Sequence, residues 1–214
     1  MATRRSRSPV ARRNSLSTTL PAIVGFGVIS ACYTNLAFAI SIRRENGILK
    51  RTRGTPIAPV SYLAGLVGNV IVISLILSTL TIALGLLLYG ISFPGRYLGL
   101  IVTIASAAFC FSAIGVAVST FVPNEDAAPA IINFILFPLL FISGTFGRVE
   151  DGSALERISS FFPVRHLNEL MEAVFNPFGD GTGLIGVHLF VIVAWGVGAT
   201  ALSLKRFRWT PRST

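Results

Sequence analysis

Acidic side chains are scarce in this 214-residue chain, with nine Asp and Glu against 18 Lys and Arg. None of the nine lies inside a long apolar run. Ion-coupled carriers place ionisable groups within the membrane to bind the coupling ion. Here the runs offer Asn69, Asn133 and His188 and no carboxylate, which argues against a proton- or sodium-driven carrier. The phosphate-binding pattern G-x-x-x-x-G-K-[ST] is absent too, so the chain does not hydrolyse ATP unaided in the usual way. Cysteine is confined to Cys32 and Cys110, both in apolar runs. There a thiol is a small hydrophobe, and neither a disulfide framework nor a metal spacing exists. The two histidines, His166 and His188, stand alone without carboxylate neighbours in sequence, so no metal site is expected.

Overall charge is sparse as well: 13% of residues are charged, against about 25% in soluble domains. What fills the space is apolar, 52% of the chain, with a mean hydropathy of +0.72. Several runs reach the roughly 20 residues that a hydrocarbon layer about 30 Å thick requires. The fold class expected is all-α, a polytopic integral membrane helical bundle with about five transmembrane helices plus two short outer amphipathic helices. The net charge of +9 would suggest nucleic acid in a soluble protein. In this chain Lys and Arg gather in short loops and tails beside apolar runs, as the positive-inside rule produces. Membrane lipid, and not nucleic acid, is the expected surroundings.

A basic polar arm, 1–19, holds Arg4, Arg5, Arg7, Arg12 and Arg13. The expected spans follow at about 20–42, 62–88, 97–122, 128–146 and 183–204. The second run is longer than one crossing needs and must tilt or end before Tyr89. Pro94-Gly95 makes the turn after it, and Pro138 is a kink point in the fourth span. The third span is rich in Ala, Ser and Gly, as helix interfaces in lipid tend to be. A basic segment, 43–56, separates the first two spans, and a basic tail, 209–214, closes the chain. Between the last two spans, Ser153-Ala154-Leu155-Glu156 fits a capping box. After Pro163, residues Leu167, Leu170, Met171, Val174 and Phe175 recur at helical spacing. Residues 153–175 therefore read as two short helices suited to the membrane interface.

Five basic residues and one acid in 43–56 place that loop in the cytoplasm, and the basic tail places the C-terminus there. Residues 147–182, with six acids and three basic residues, then lie outside. Five spans force the arginine-rich arm outside too. Either the stronger 43–56 loop overrules it, or a span that would precede Leu20 is missing from this chain, and the second is preferred. A signal-peptide reading, from Arg12-Arg13 and the Ala37-Phe38-Ala39 cleavage-like triplet, fails because the apolar run is longer than a signal requires.

The 43–56 segment has Ile48 and Leu49 between charges, and Gly54 and Pro56 to stop a helix. On charge alone it is an anchor loop. Its residues nonetheless resemble the loop between the second and third spans of type-2 ABC (ATP-binding cassette) exporter permeases. The matching positions are Arg44, Glu45, Gly47, Leu49, Lys50, Arg51, Thr55 and Pro56. A second block, similar to the family's fifth span and outer helices, is carried by Phe137, Pro138, Phe141, Ser143, Gly144, Pro163 and His166. The resemblance covers about 20–208. It implies six spans with both ends cytoplasmic, the first of them lacking here, and an integral plasma-membrane (bacterial cell-membrane) location.

It implies further that Arg44, Glu45, Gly47, Ile48, Leu49, Lys50 and Arg51 form a coupling helix for a separate ATP-binding-cassette ATPase subunit. Glu45 would face that subunit while the arginines hold the helix at the membrane. Pro138, Ser143, Gly144, Phe162, Pro163 and His166 would belong to the external gate and outer helices. A second permease copy, as homodimer or heterodimer, would complete the path. No cofactor is expected on this chain; ATP and Mg would be bound by the partner ATPase. Two rivals stand beside this reading. One is a non-transporting scaffold or truncated paralogue. The other is an intramembrane serine hydrolase built on Ser143 and His188, although Phe141 occupies the place where a G-x-S-G motif has glycine.

Overall fold

The computed structural model describes residues 20–53, 59–89, 96–143, 154–176 and 183–206. The arm 1–19, Thr55 and Pro56, the Pro94-Gly95 turn, Gly144, Ser153 and the tail 209–214 lie outside the described residues. Within them the chain is helical, in the order α1 (Leu20–Glu45), α2 (Ile48–Arg53), α3 (Pro59–Tyr89), α4 (Tyr97–Ser119), α5 (Ala128–Ile142), α6 (Ala154–Ser159), α7 (Pro163–Phe175) and α8 (Gly186–Arg206). No strand occurs among the described residues. The chain is thus the all-α polytopic bundle that composition implied.

Four helices, α1, α3, α4 and α8, are long and apolar enough to cross a membrane. The apolar helix α5 has 15 described residues, about 22 Å at 1.5 Å per residue. The rest of the expected fourth span, 144–146, lies outside the described residues. Helix α3 overruns the expected 62–88 at both ends. Its 31 residues reach about 46 Å, longer than the bilayer core, with Pro59 at the start, where a missing N–H costs nothing.

Small residues decide which helix is central. In α4, 67% of the apolar window is buried inside the bundle, against 17% in α8 and 28% in α3. Helix α4 packs on α1, α3 and α8. A Cβ added to Gly115 of α4 would sit 2.7 Å from the Tyr33 carbonyl oxygen, so α1 and α4 touch backbone to backbone. On the α8 side a Cβ at Gly196 would fall 2.6 Å from the Phe109 ring. Helix α1 widens into a π turn at Ser30–Thr34, where the Asn35 N–H donates to the Ser30 carbonyl. This turn buries Cys32 and Tyr33 against the neighbouring helices. The Tyr33 hydroxyl donates to the Ile132 carbonyl of α5 at 3.0 Å, and Cys32 Sγ meets Ser74 Oγ of α3 at 2.9 Å.

Lipid offers no hydrogen-bond partner, so hydroxyls on spans must be satisfied within the protein. Ser74, Thr79, Thr81, Thr200 and Ser203 all donate to the carbonyl four residues earlier. Exposed Leu80, Leu87 and Leu88 on α3, Phe134 and Phe141 on α5, and Val187 and Phe190 on α8 would be an aggregation liability in water. Around a bilayer-embedded bundle they are the lipid-facing surface.

Candidate functional site

Helices α1, α4 and α8 all finish at one end of the bundle, and α2 sits there with them. Chain reversal out of α1 depends on Gly47, whose φ of +68° is open to glycine at little cost. The Asn46 and Gly47 N–H groups donate back to Ile42 and Arg44 carbonyls, and Arg51 N–H donates to Gly47 O, so α2 starts within one residue.

Arg44, only 3% exposed, turns inward. Its guanidinium donates to the Ser119 carbonyl at 2.9 Å and to the Val122 carbonyl. Ser119 ends α4 and Val122 follows three residues on, at a helix end where unpaired carbonyls and the dipole favour a cation. Glu45 Oε2 accepts the Glu125 backbone N–H at 2.5 Å. Arg43 donates to the Tyr62 hydroxyl at 3.2 Å, and Leu49 is fully buried. The inner face of the 43–51 segment is therefore committed to α3, α4 and the α4–α5 turn. Asn46, Ile48, Lys50 and Arg51 are exposed on its outer face.

At the opposite end, α6 and α7 lie across the bundle. Phe162 is extended and Pro163 opens α7, as a proline with its fixed φ favours. The apolar face of α7, whose pattern suits a membrane interface, is covered by protein. Leu167, Leu170 and Met171 are fully buried, and Leu167 and Met171 close around Gly25 of α1. Arg96 donates to the Ala173 carbonyl near the end of α7. The Trp195 indole of α8 donates to the Phe161 carbonyl at 2.8 Å and packs edge-on against the Phe161 ring. Together these contacts seat the α6–α7 pair on the bundle.

A polar cluster joins α6, α7 and α8 at that end. Arg165 donates to Glu169 Oε1 at 2.7 Å and to Glu156 Oε1 at 3.0 Å. The hydrogen bond to Glu169, reinforced by that to Glu156, holds the Arg165 guanidinium above its ordinary pKa. His166 Nδ1 lies 2.7 Å from His188 Nδ1, and His188 Nδ1 lies 3.0 Å from Glu169 Oε2. The premise that the histidines lack a carboxylate neighbour is therefore incorrect: Glu169 stands one helical turn beyond His166 and against His188. Ser143 takes another course, with its Oγ donating to the Leu140 carbonyl at 3.1 Å. His188 Nδ1 is committed to His166 and Glu169, so the geometry does not favour the serine-hydrolase dyad. Pro138 lies within α5 as expected.

Between α3, α4 and α8, toward the end that carries α2, an apolar cleft of about 360 Å³ is lined by Val67, Ile71, Phe109, Val116, Thr200 and Leu204 among others.

A family model described as ABC-2 type transporter matches residues 4–176. The chain belongs to the ABC-2 type transporter family. No curated protein matches the chain. As an ABC-2 membrane domain, it is an integral membrane protein and the permease subunit of an ABC transporter, a system whose ATP hydrolysis implies an ATPase partner. The match takes in α1 to α7 and stops before α8. It also reaches into the arm, further than the two blocks read from sequence. Two residues of this ABC-2 domain escaped sequence reasoning, Arg96 and Glu169. Glu169 had a signal, since it lies three residues after His166 and shares its face. His188, 22 residues on, is brought to them by the fold alone.

Proposed function

We propose that this chain is the permease of an exporter in the plasma membrane, coupled to its ATPase through the outer face of the 43–51 segment, with the α2 end in the cytoplasm. The observation that carries the reading is the two-sidedness of that segment. Arg44, Glu45 and Leu49 grip the bundle while Ile48, Lys50 and Arg51 project away from it. A partner pressing on Ile48 and the two cations would act directly on the ends of α1 and α4. The basic residues of 43–51 together with Lys205 and Arg206 at the same end, and Glu156, Glu169 and Glu172 at the other, agree with a cytoplasmic α2. Gly47 sets the turn that presents α2, and Glu45 orders the α4–α5 turn.

A second permease copy completes the path. The α6–α7 pair, with Phe162, Pro163 and His166, closes its outer end. The apolar cleft and the lack of acids within the spans suit an amphipathic or lipid-like cargo, since an ionic one requires a countercharge.

The test is purification in mild detergent from the native membrane, with mass spectrometry of co-purifying subunits. An ATP-binding-cassette ATPase should accompany the unmodified chain in comparable amount. It should be lost from the triple variant Ile48→Ser, Lys50→Glu, Arg51→Glu, whose altered side chains are all exposed. ATPase retained undiminished by that variant removes the coupling assignment, and its absence from the unmodified chain removes the exporter reading.

A further inference from the structure

Three polar atoms at the α6–α7 end, His166 Nδ1, His188 Nδ1 and Glu169 Oε2, are placed so that they share one proton. His166 Nε2 lies 2.8 Å from the Ser160 carbonyl, an acceptor only, so Nε2 must carry the proton. In neutral His166 this leaves a lone pair on Nδ1, aimed at His188 Nδ1 2.7 Å away. Glu169 Oε2, 3.0 Å from His188 Nδ1, presents a second acceptor to the same nitrogen. One proton on His188 Nδ1 must then serve two acceptors. A cation at the centre would serve all three, because the three atoms lie within 4.8 Å of one another.

We propose that His166 Nδ1, Glu169 Oε2 and His188 Nδ1 form a site for a divalent transition-metal ion of the zinc class, which pins α7 to the start of α8. The donor set decides the class. Two imidazoles and one carboxylate suit zinc and its neighbours, whereas calcium and magnesium require oxygen-rich shells. Ligand atoms about 2.0–2.1 Å from a tetrahedral zinc stand roughly 3.3 Å apart, so the pairs at 2.7 and 3.0 Å open by about 0.6 and 0.3 Å, while His166 Nδ1 and Glu169 Oε2 start within 4.8 Å of each other.

The bonds behind two of the three ligands match those that orient metal ligands, in which a histidine or carboxylate is held by a group behind it. The Ser160 carbonyl fixes the tautomer of His166. Arg165 holds Glu169 by Oε1 and so turns Oε2 toward the centre. His166 is buried, while the His188 and Glu169 side chains are 20% and 33% exposed, which gives an ion from solution a way in. Three protein ligands leave a fourth position for water or for a group on a passing molecule. The site stands on these atoms alone and does not depend on the exporter reading.

The experiment uses the full chain purified through a tag without histidine, stripped with chelator and titrated with Zn²⁺ by calorimetry. Cobalt(II) spectra and a melting curve run in parallel. One equivalent should bind, the cobalt complex should show tetrahedral absorption, and zinc should raise Tm where magnesium does not. Glu169→Gln and His188→Ala should each weaken binding at least 100-fold. Arg165→Lys, which disturbs only the grip on Glu169, should cost about 10-fold, as lost supporting bonds do. His188→Cys retains a ligand and should keep the metal, adding a thiolate-to-cobalt band. Stripped protein that neither binds zinc nor gains stability from it overturns the proposal. Binding that survives both Glu169→Gln and His188→Ala overturns it equally, because the ion then sits elsewhere.

Discussion

Replacing Arg44 with Met removes two hydrogen bonds from a charged donor, each worth about 1.5–3 kcal/mol, to the Ser119 and Val122 carbonyls. The gross loss of roughly 3–6 kcal/mol is partly offset, because the guanidinium no longer has to be desolvated at its buried position. A net destabilisation of about 3 kcal/mol remains. In a chain of this size each kcal/mol lowers Tm by roughly 2–4 °C, so the expected fall is about 6–12 °C. Cys32 and Cys110 are both buried, and a thiol-reactive fluorophore therefore reports their exposure as the detergent-solubilised bundle opens. Arg44→Lys keeps the charge but not the fork that reaches two carbonyls, and should recover part of the loss. Arg206→Met serves as the control. Its guanidinium stands over the Phe121 ring at 5.5 Å on the surface, worth about 0.5–1 kcal/mol. An Arg44→Met melt within 2 °C of the unmodified chain, on the ~2–4 °C per kcal/mol scale, would refute the claim that this residue ties α1 to α4.

Three glycines should respond in ways their surroundings dictate. Gly115→Ala places a methyl 2.7 Å from the Tyr33 carbonyl oxygen, a backbone clash costing about 1–3 kcal/mol. Gly27→Ala, with nothing within 4 Å, should be neutral or stabilise by up to about 1 kcal/mol; the same thiol-exposure melt separates the two. Gly47→Ala meets open space but keeps a φ of +68°, for which a Cβ costs roughly 1–2 kcal/mol. Its Tm should fall by several degrees, while Gly47→Asn, better tolerated in that region, should fall less.

The spans were legible because a bilayer imposes a length and a polarity that no soluble core requires, and the Ala-, Ser- and Gly-rich composition of 97–122 marked the central helix. The 43–53 segment was legible as a short helix stopped by Gly54 and Pro56, although the structure leaves Arg43–Glu45 in α1 and starts α2 at Ile48. Its orientation was not, since an arginine reads alike in sequence whether it faces lipid headgroups or the end of α4. The amphipathic pattern of 163–175 showed that one face is apolar, without saying whether lipid or protein covers it; α1, remote in sequence, supplies the cover, with Gly25 against Leu167 and Met171. The polar cluster was the hardest to see. His166 and Glu169 share one helix, but the third member arrives from α8, and periodicity along one segment carries no information about what another brings beside it.

The buried Arg44 has a mechanical consequence. Through it and Glu45, the corner after α1 and the corner after α4 become one stiff plate. Arg43 bolts the plate to the first part of α3, and the Glu125 N–H locks in the corner before α5. On the proposed coupling, a push on Ile48 would pass through that plate to the ends of α1 and α4, and through α4 to the helices packed on it.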